Sequence, residues 1–394
     1  MKNFFPKIAN KNKYSFFEEK VISKKNRFKL LNQDIIELKK NFFKSNILIT
    51  GAAGSIGSQF CQDILKFNFK SIFLMDKNEN QLTELNRDLI LVCDKKKINK
   101  IRFICSDLTI FNIDNFLKEN KITHYLNFAA IKHVRSEEEL TSIKYMFLTN
   151  SISFLPSKSY YLKKIFSIST DKIVNPTSVL GISKYLMEAN LKQFKKKNNI
   201  FVSSVRFGNV SFSNGSVLKY VVDRIKAKKP FGVPKKLRRF FITHKEASSL
   251  CFKSLLNRNN GYVVLPDYKA LKRDYLITEV VNKILKLFNY KGTFVKKLNK
   301  NNFLLNKNYK ILLTSPKNHG QKFFEEFYSI QENLIVDKKD RSVYKVVLPT
   351  SKKIDQLVNK IVNFKDTKKL KNFLCNQFEN YTPPKNITKI SKLL

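Results

Sequence analysis

The stretch "ITGAAGSIGSQF", Ile49 to Phe60, places glycines at regular intervals between an apolar segment and an amphipathic one. Glycine permits a tight turn and lets the N–H groups of a helix N-terminus approach a pyrophosphate. Gly51 and Gly54 suit those two tasks, and Gly57 allows close contact between helix and strand. The stretch therefore predicts a strand, a phosphate-binding loop and a helix, with Ser55 and Ile56 beside the ligand.

Residues at the ends of the next predicted strands extend this site. Asp76 ends "SIFLMD", where a carboxylate hydrogen-bonds both ribose hydroxyls and repels a 2′-phosphate, which favours NAD over NADP. Asp107 ends "IRFICSD", where an acidic side chain meets the adenine amino group, and Leu108 follows it. Ala129 and Ala130, after "HYLNF", are assigned to the same site. Each feature alone also fits an ordinary turn or cap, but together and in this order they predict a dinucleotide site.

Continuous apolar runs alternate with amphipathic segments from residue 46 onwards, in "NILIT", "SIFLMD", "IRFIC", "HYLNF" and "KKIFSIST". This alternation predicts an α/β fold with a Rossmann-type, doubly wound parallel sheet. We assign residues 1–44 to a basic, helical arm, residues 45–210 to the NAD-binding domain and residues 211–394 to a smaller substrate-binding region with a C-terminal tail. The GxxGxxG spacing of the loop is typical of extended short-chain dehydrogenase/reductases.

The charge of the chain is strongly positive. Of its 394 residues, 75 are Lys or Arg and 31 are Asp or Glu, a formal net charge of +44 at pH 7. Such a charge suits nucleic acid or an anionic membrane surface. The lysines are nevertheless spread over the whole length among many Asn, Ile and Phe, which favours compositional bias over a nucleic-acid partner. The positive field still favours anionic substrates.

The cysteines and the hydropathy pattern indicate the compartment. The five cysteines are scattered without CxxC spacing, so they predict no metal site and no disulfide framework. The first 20 residues lack the apolar core of a signal peptide, and no segment approaches the ~18 apolar residues of a membrane span. We therefore predict a cytoplasmic protein without an integral membrane segment.

Six stretches resemble the polysaccharide-biosynthesis nucleotide-sugar 4,6-dehydratases, especially UDP-N-acetylglucosamine 4,6-dehydratases. They span about residues 46–330, and "STDKxxNPT" and "RFGNV" are much more specific than the glycine loop. The resemblance implies NAD as cofactor, a UDP-sugar as substrate and a homo-oligomer. The stretches are "ILITGAAGSIGSQ", "NFAAIKHV", "SISTDKIVNPTSVLGISK", "VRFGNVSFSNGSV", "RRFFIT" and "HGQKFFEE".

The resemblance also implies the catalytic residues. Thr170, Asp171 and Lys172 fall on the catalytic trio of the family. Asp171 is implied as the acid that protonates the departing 6-hydroxyl, and Lys172 as the base at C5. Lys184 falls on the lysine that holds the nicotinamide ribose.

Four further positions are implied to contact the substrate. Lys132 and His133 lie on the loop between cofactor and sugar, Asn209 follows a strand that contacts the substrate, and Arg239 falls on an arginine that resembles a diphosphate ligand. A planar guanidinium binds diphosphate oxygens well, although a single arginine in so basic a chain also fits a solvated surface.

Leu180 stands where the superfamily usually has a tyrosine, four residues before Lys184 on the same helical face. That tyrosine accepts the proton when a substrate alcohol is oxidised. One branch of the family has methionine at this position, and Leu180 is a comparable apolar residue. The remaining candidate acceptors are a bound water and the hydroxyl of Thr170, backed by Asp171, of which we favour Thr170.

Two stretches depart from the family pattern. Ser153 and Phe154 replace a Gly-Thr pair, and Pro156 follows them. A proline inside a helix costs about 3 kcal/mol, so we predict that the helix of this segment starts at Pro156. The stretch "SPKNHGQ", residues 315–321, lacks the family's Arg-Pro-Gly-Glu.

Two alternative functions remain open. The first is another enzyme of sugar nucleotides, such as a 4-epimerase or a reductase, and the second is a catalytically silent NAD-binding relative. Leu180 argues against the epimerase, which depends on tyrosine, and "TDK" favours elimination. The departures from the family pattern are the support for a silent relative.

Overall fold

The computed structural model describes residues 14–132, 137–299, 302–314, 324–350, 354–381 and 383. The glycine-rich loop connects the first strand of a central sheet to the first helix that covers it. The strands are β1 Asn46–Thr50, β2 Ser71–Asp76, β3 Ile101–Cys105, β4 His124–Asn127, β5 Lys164–Ile168, β6 Phe201–Val205, β7 Asn209–Val210, β8 Gly232–Pro234, β9 Arg238–Arg239, β10 Phe241–Ile242, β11 Tyr262–Pro266, β12 Tyr275–Leu276, β13 Lys291–Val295, β14 Leu304–Leu305, β15 Asn308–Thr314, β16 Ile335–Val336 and β17 Val343–Val347.

The helices alternate with these strands over the first half of the chain. Short 3₁₀ turns at Asp171–Ile173 and Asn257–Asn259 and a π-helical turn at Leu148–Ile152 add to them. The α-helices are α1 Ser15–Val21, α2 Asn32–Phe42, α3 Ser55–Ile64, α4 Glu79–Val92, α5 Lys95–Ile98, α6 Ile113–Glu119, α7 Leu140–Phe147, α8 Val179–Asn198, α9 Val217–Lys226, α10 His244–Ser254, α11 Tyr268–Leu271, α12 Ile277–Leu287, α13 Ile354–Asn363 and α14 Thr367–Gln377.

Within the residues described, nine strands form the central sheet in the order β16-β17-β11-β6-β5-β4-β1-β2-β3. The seven strands from β11 to β3 pair in parallel, and β17 and β16 add antiparallel at one edge. β5 and β6 are buried along their whole length, as continuous apolar runs covered on both faces require. The predicted Rossmann-type fold is confirmed.

The strand order places the candidate site. In an open parallel sheet, a ligand binds at the carboxyl ends of the strands where the order reverses direction. Here β1 lies between β2 and β4, so the loops after β1 and β4 diverge to opposite faces of the sheet. The glycine loop follows β1 directly, and the segment from Thr170 to Lys172 follows β5 at the same edge.

Two smaller apolar cores flank the sheet. One joins α1, α9, α12 and the sheet of β13, β15, β14 and β8. The other joins α7 and α8 to the C-terminal helices α13 and α14. Residues beyond 210 also extend the central sheet, because β11, β16 and β17 pair there and α10 packs against α3.

The segment after α7 differs from its sequence prediction. We expected a helix that starts at Pro156, but residues 153–163 form turns and bends. The π-helical turn at Leu148–Ile152 ends α7, and Phe154 turns into the main core with no exposed surface. Burial of this aromatic side chain fixes the chain in a turn, so the prediction of a helix at Pro156 was wrong.

Candidate functional site

The glycine loop has backbone contacts that leave no room for a side chain at Gly51 or Gly57. Gly51 has a φ of +67°, and a Cβ there would lie 2.4 Å from the backbone nitrogen of Ala129. A Cβ on Gly57 would lie 2.2 Å from the carbonyl oxygen of Gly51. The N-terminus of α3 therefore packs directly on the turn after β1, in the arrangement that presents N–H groups to a pyrophosphate.

The first turn of α3 also contacts the loop that follows β7. Gly54 is its N-cap, and Ser55 and Ile56 begin the helix, half-buried. The hydroxyl oxygen of Ser55 accepts the backbone N–H of Asn214 at 2.9 Å. The loop after β7 thus lies against the predicted phosphate site.

Asp76 lies at the carboxyl end of β2, as predicted, and faces the glycine loop. One carboxylate oxygen accepts the backbone N–H of Ala53 at 3.0 Å, and the other accepts that of Asn78 at 3.0 Å. A carboxylate held by two backbone donors stays fixed beside the loop. Its role as a ribose ligand stays a prediction.

Asp107 has partners that the sequence did not indicate. It accepts hydrogen bonds from the Tyr145 hydroxyl and, at 2.9 Å, from the backbone N–H of Thr109. Burial opposes ionisation of Asp107, but these hydrogen bonds outweigh it and hold the pKa of its carboxyl below the ordinary value. Lys77 donates to the Tyr145 hydroxyl at 2.7 Å. Leu108 is buried beside this group.

A ladder of polar side chains links the strand ends at the centre of the site. Asn127 accepts the Thr50 hydroxyl at 2.7 Å and donates to the Ser167 hydroxyl at 3.0 Å. The same amide oxygen accepts the backbone N–H of Ala129 at 3.1 Å. Ala129 is half-buried and the next residue, Ala130, is exposed at the opening of the site.

Thr170, Asp171 and Lys172 form one hydrogen-bonded group in the turn after β5. The Thr170 hydroxyl donates to Oδ1 of Asp171 at 2.8 Å, and Nζ of Lys172 lies 3.1 Å from the same oxygen. Asp171 is 4% exposed, whereas 38% of the Lys172 side chain is exposed. A single carboxylate oxygen therefore joins the hydroxyl to the ammonium group.

The charge state of Lys172 follows from its neighbours. Its partial burial acts to lower the pKa, but the negative charges of Asp171 and Glu325 outweigh burial and hold the pKa above the ordinary lysine value. Lys172 is consequently protonated in the protein without ligand. Lys172 can act as a base only after a change in its surroundings has lowered its pKa.

Lys184 lies one helical turn beyond Leu180 on α8 and reaches back to the sheet. It is 3% exposed, and its Nζ donates to the carbonyl oxygen of Ile168 at 2.8 Å. Burial lowers the pKa of Lys184 to about 7, and the charge of Glu188 opposes the shift. The lysine is thus held beside the end of β5, next to the Thr170 turn.

Leu180 is buried in the apolar cluster of α7, α8, α13 and α14, where it is 4% exposed. Its backbone N–H donates to Oε1 of Glu137 at 3.2 Å. Burial raises the pKa of Glu137 to about 7, against the effect of the backbone hydrogen bonds. No prediction from the sequence assigned a role to Glu137, whose carboxylate contacts the N-terminus of α8.

Asn209 and Arg239 are joined by a carboxylate that the sequence reasoning missed. Oε1 of Glu325 accepts the amide of Asn209 at 2.5 Å and lies 3.2 Å from Nε of Arg239. Its other oxygen accepts the backbone N–H of Phe240 at 3.0 Å. Burial and the charge of Asp171 raise the pKa of Glu325 to about 7. The signal for it was the stretch "HGQKFFEE", to which no role was assigned.

The remaining predicted substrate residues are only partly described. Lys132 is exposed, and its Nζ lies 3.5 Å from the hydroxyl of Ser213. His133 and the stretch at residues 315–321 lie outside the described residues. In the described part of the chain, no group of three or more His, Cys, Asp or Glu side chains is arranged to hold a metal ion. None of the helices described there combines the length and apolar character needed to cross a membrane.

Sequence comparison identifies relatives in several groups of organisms. An uncharacterized membrane protein of Methanocaldococcus jannaschii is 30% identical over 64% of this chain and 75% of its own length. The capsular polysaccharide biosynthesis protein CapD of Staphylococcus aureus is 29% identical over 76% of this chain. This chain spans about half of CapD, 51% of its length.

Two relatives with assigned activities differ in those activities. UDP-glucose 4-epimerase of Rickettsia bellii is 26% identical over 74% of this chain and 80% of its own length. UDP-N-acetylglucosamine 4,6-dehydratase (inverting) of Campylobacter jejuni is 24% identical over 75% and 86%, respectively. Both act on nucleotide sugars, and they divide between epimerisation and dehydration.

Solved structures share the fold. Pen from Bacillus thuringiensis superimposes with a TM-score of 0.64 at 20% identity, over 86% of this chain and 99% of its own. The dTDP-glucose 4,6-dehydratase DesIV of Streptomyces venezuelae, solved with NAD, gives a TM-score of 0.54 at 14% identity, over 86% and 100%, respectively. At these identities the comparison supports the fold.

The family model described as polysaccharide biosynthesis protein matches residues 47–348, which include the glycine loop, the Thr170 turn and the Glu325 segment. This range covers most of the chain and all of the residues that form the candidate site. The chain belongs to the polysaccharide biosynthesis protein family, and it has the fold of the extended short-chain dehydrogenase/reductases that include nucleotide-sugar dehydratases and epimerases.

Proposed function

We propose that the protein is an NAD-dependent nucleotide-sugar 4,6-dehydratase that converts UDP-N-acetylglucosamine to a 4-keto-6-deoxy sugar nucleotide for surface polysaccharide or glycan biosynthesis. The observation that carries the proposal is the hydrogen-bonded group of Thr170, Asp171 and Lys172 next to the buried Lys184. An elimination needs an acid and a base close together. This turn supplies the carboxyl group of Asp171 and the amine of Lys172, which are hydrogen-bonded to each other.

NAD fits the residues around the glycine loop. The turn at Gly51, the N-terminus of α3 and the fixed carboxylate of Asp76 are the groups that would hold its pyrophosphate and ribose, and Lys184 would hold the nicotinamide ribose. When bound, the cofactor supplies an acceptor for the hydrogen of C4 and returns it at C6.

Thr170 and Asp171 provide a route for the first proton. As C4 is oxidised, the Thr170 hydroxyl accepts the proton of the C4 hydroxyl and passes its own along the 2.8 Å hydrogen bond to Asp171. Asp171 then carries the proton that the departing C6 hydroxyl requires to leave as water. The two steps balance, because the proton removed at C4 leaves with the oxygen of C6.

The same transfer prepares Lys172 as the base at C5. Protonation removes the negative charge of Asp171, which is one of the two charges that hold the pKa of Lys172 above its ordinary value. The ammonium group then loses its proton more readily, and its partly exposed side chain gives it a path to water. Lys172 takes the C5 proton, which the carbonyl at C4 has acidified, and later returns a proton to C5.

The test is incubation of the purified protein with UDP-, GDP- and dTDP-sugars and NAD, with product masses as the measurement. We expect UDP-N-acetylglucosamine to lose one water without accumulation of NADH. Asp171→Asn and Lys172→Ala should reduce turnover on the order of 10² to 10⁴, whereas the exposed-site controls Glu84→Gln and Lys368→Ala should not. A product isomeric with the substrate would instead indicate a 4-epimerase, and the absence of turnover with every sugar would indicate a silent relative.

The substrate contacts and the assembly belong to the same proposal. Arg239 and Lys132 supply basic groups that suit a diphosphate, and Asn209 shares the carboxylate of Glu325 with Arg239. We also propose a homo-oligomer, which light scattering of the purified protein tests.

A further inference from the structure

The side chain of Glu325 is a buried carboxylate in contact with residues from two separate parts of the chain. It is 4% exposed and is held by Asn209, Arg239 and the backbone N–H of Phe240. A Cβ on Gly208 would lie 3.0 Å from Oε2, so the strand that carries Asn209 passes directly over the carboxylate. An ionised group so deeply buried is costly unless each oxygen is paired, and here each one is.

The segment that carries Glu325 is itself anchored. Arg206, with no exposed surface, donates to Glu332 at 2.8 Å and to the carbonyl oxygen of Phe327 at 3.2 Å. The same guanidinium donates to Glu188 on the active-site helix α8 at 2.6 Å. Arg206 therefore joins the segment at residues 327–332 to α8, and Glu325 lies two residues before that anchored segment.

Glu325 also acts on the catalytic turn through its charge. The charged groups that face it are Asp171 and Lys172 from the turn after β5 and Arg239 from β9. Its negative charge adds to that of Asp171 in holding the pKa of Lys172 above the ordinary value. Removal of one of two negative charges next to an ammonium group destabilises its protonated form.

We propose that Glu325 is a positioning residue with two tasks: it holds Asn209 and Arg239 in one arrangement, and its charge adds to that of Asp171 in stabilising the ammonium form of Lys172 while the site is empty. The first task rests on the proposed function, because it concerns the binding of the nucleotide sugar. The second concerns the protein without substrate. Glu325 itself donates nothing to the reacting atoms in this proposal.

The direct test is the titration of Lys172 in the substrate-free protein. Competitive labelling with acetic anhydride over a range of pH, with peptide mass spectrometry, reports the pKa of one chosen lysine, and exposed Lys368 serves as internal reference. In Glu325→Gln the labelling curve of Lys172 should move to lower pH, because a glutamine has nearly the same shape, keeps one of the two acceptor oxygens and carries no charge. In Glu326→Gln, the exposed neighbouring carboxylate, it should not move.

Kinetics test the first task. Glu325→Gln should raise KM for UDP-N-acetylglucosamine and shift the rising limb of the kcat profile to lower pH, the direction expected when the base loses its proton more easily. Glu325→Asp retains the charge but is one methylene shorter, so it should raise KM and leave that limb in place. Thermal unfolding of each variant establishes that it is folded.

The outcomes separate this inference from the proposed function. A labelling curve of Lys172 that is the same in Glu325→Gln as in the unmodified protein overturns the inference, even if the protein proves to be a dehydratase. A curve that moves in a protein that turns over no sugar supports the charge effect and overturns the proposed function. If Glu325→Gln does not fold, Glu325→Asp is measured instead. An unchanged KM in Glu325→Asp would then contradict the proposal that Glu325 holds Asn209 and Arg239 in place.

Discussion

Replacement of Gly57 by alanine and replacement of Gly54 by alanine, both at the start of α3, should have different effects on stability and on NAD affinity. At Gly57 the added Cβ would lie 2.2 Å from the carbonyl oxygen of Gly51, against about 3.5 Å for ordinary contact, so the helix must move by roughly 1 Å. Overpacking of this kind costs about 1–3 kcal/mol of folding free energy. At Gly54 the nearest atom, the carbonyl oxygen of Gly51, would be 3.2 Å away, which needs only a small adjustment.

The effect on cofactor binding follows from the same displacement. If α3 moves, the N–H groups at its N-terminus no longer meet the pyrophosphate, and loss of one hydrogen bond to a charged group costs about 1.5–3 kcal/mol. We therefore expect NAD affinity to fall about 10- to 150-fold in Gly57→Ala. Gly54→Ala should also bind NAD more weakly, because a methyl group at the N-cap restricts the close approach of a pyrophosphate to the backbone, but its unfolding temperature without cofactor should be nearly unchanged.

The assays are isothermal titration with NAD and thermal unfolding of protein stripped of nucleotide. Gly57→Ala should lower both the affinity and the unfolding temperature, and Gly54→Ala should lower the affinity alone. A Gly57→Ala protein that binds NAD and unfolds as the unmodified protein does would refute the close packing of helix on turn, and with it the assignment of the loop.

Three further predictions concern the cofactor and the first proton. The protein should bind NAD more tightly than NADP, and Asp76→Ala should narrow the difference in affinity; equal affinities in the unmodified protein would contradict the role of Asp76. Because the pKa of Lys184 is about 7 in the folded protein and higher when unfolded, the unfolded state binds more protons between pH 7 and 10. The contribution of Lys184 to stability should therefore rise with pH over that range. The unfolding free energy of Lys184→Met should lack this contribution, so the difference in unfolding free energy between the unmodified protein and Lys184→Met should change with pH in the same direction. Thr170→Val should slow C4 oxidation on the order of 10² or more, and turnover should not require Leu180→Tyr; a protein inert until tyrosine is present would show that Thr170 has not replaced it.

The sheet was predictable because each of its first strands is a continuous apolar run. β1, β2 and β5 begin or end within two residues of the stretches "NILIT", "SIFLMD" and "KKIFSIST", since burial on both faces requires uninterrupted apolar sequence. The turn at Thr170 was placed by its motif. Such features depend on neighbouring residues, so the sequence contains enough information to locate them.

Features that depend on distant partners were missed. Glu325 hydrogen-bonds to Asn209, from which it is separated by 116 residues in the sequence. No local pattern distinguishes Glu325 from the exposed Glu326 beside it. The helix expected at Pro156 failed for a similar reason, because burial of Phe154 in the main core outweighs the local preference. The upward shift of the Lys172 pKa arises from the neighbouring Asp171 and, in addition, from Glu325, which the sequence does not place there.

The most direct measurement of the central claim follows one hydrogen atom. UDP-N-acetylglucosamine with deuterium at C4 is incubated with the protein and NAD, and the product is examined by NMR and mass spectrometry. The proposed 4,6-dehydratase predicts loss of one water, with the deuterium in the C6 methyl group and no net reduction of the cofactor. Deuterium in the cofactor with the 6-hydroxyl retained, or deuterium back at C4 of an isomeric sugar, would contradict it.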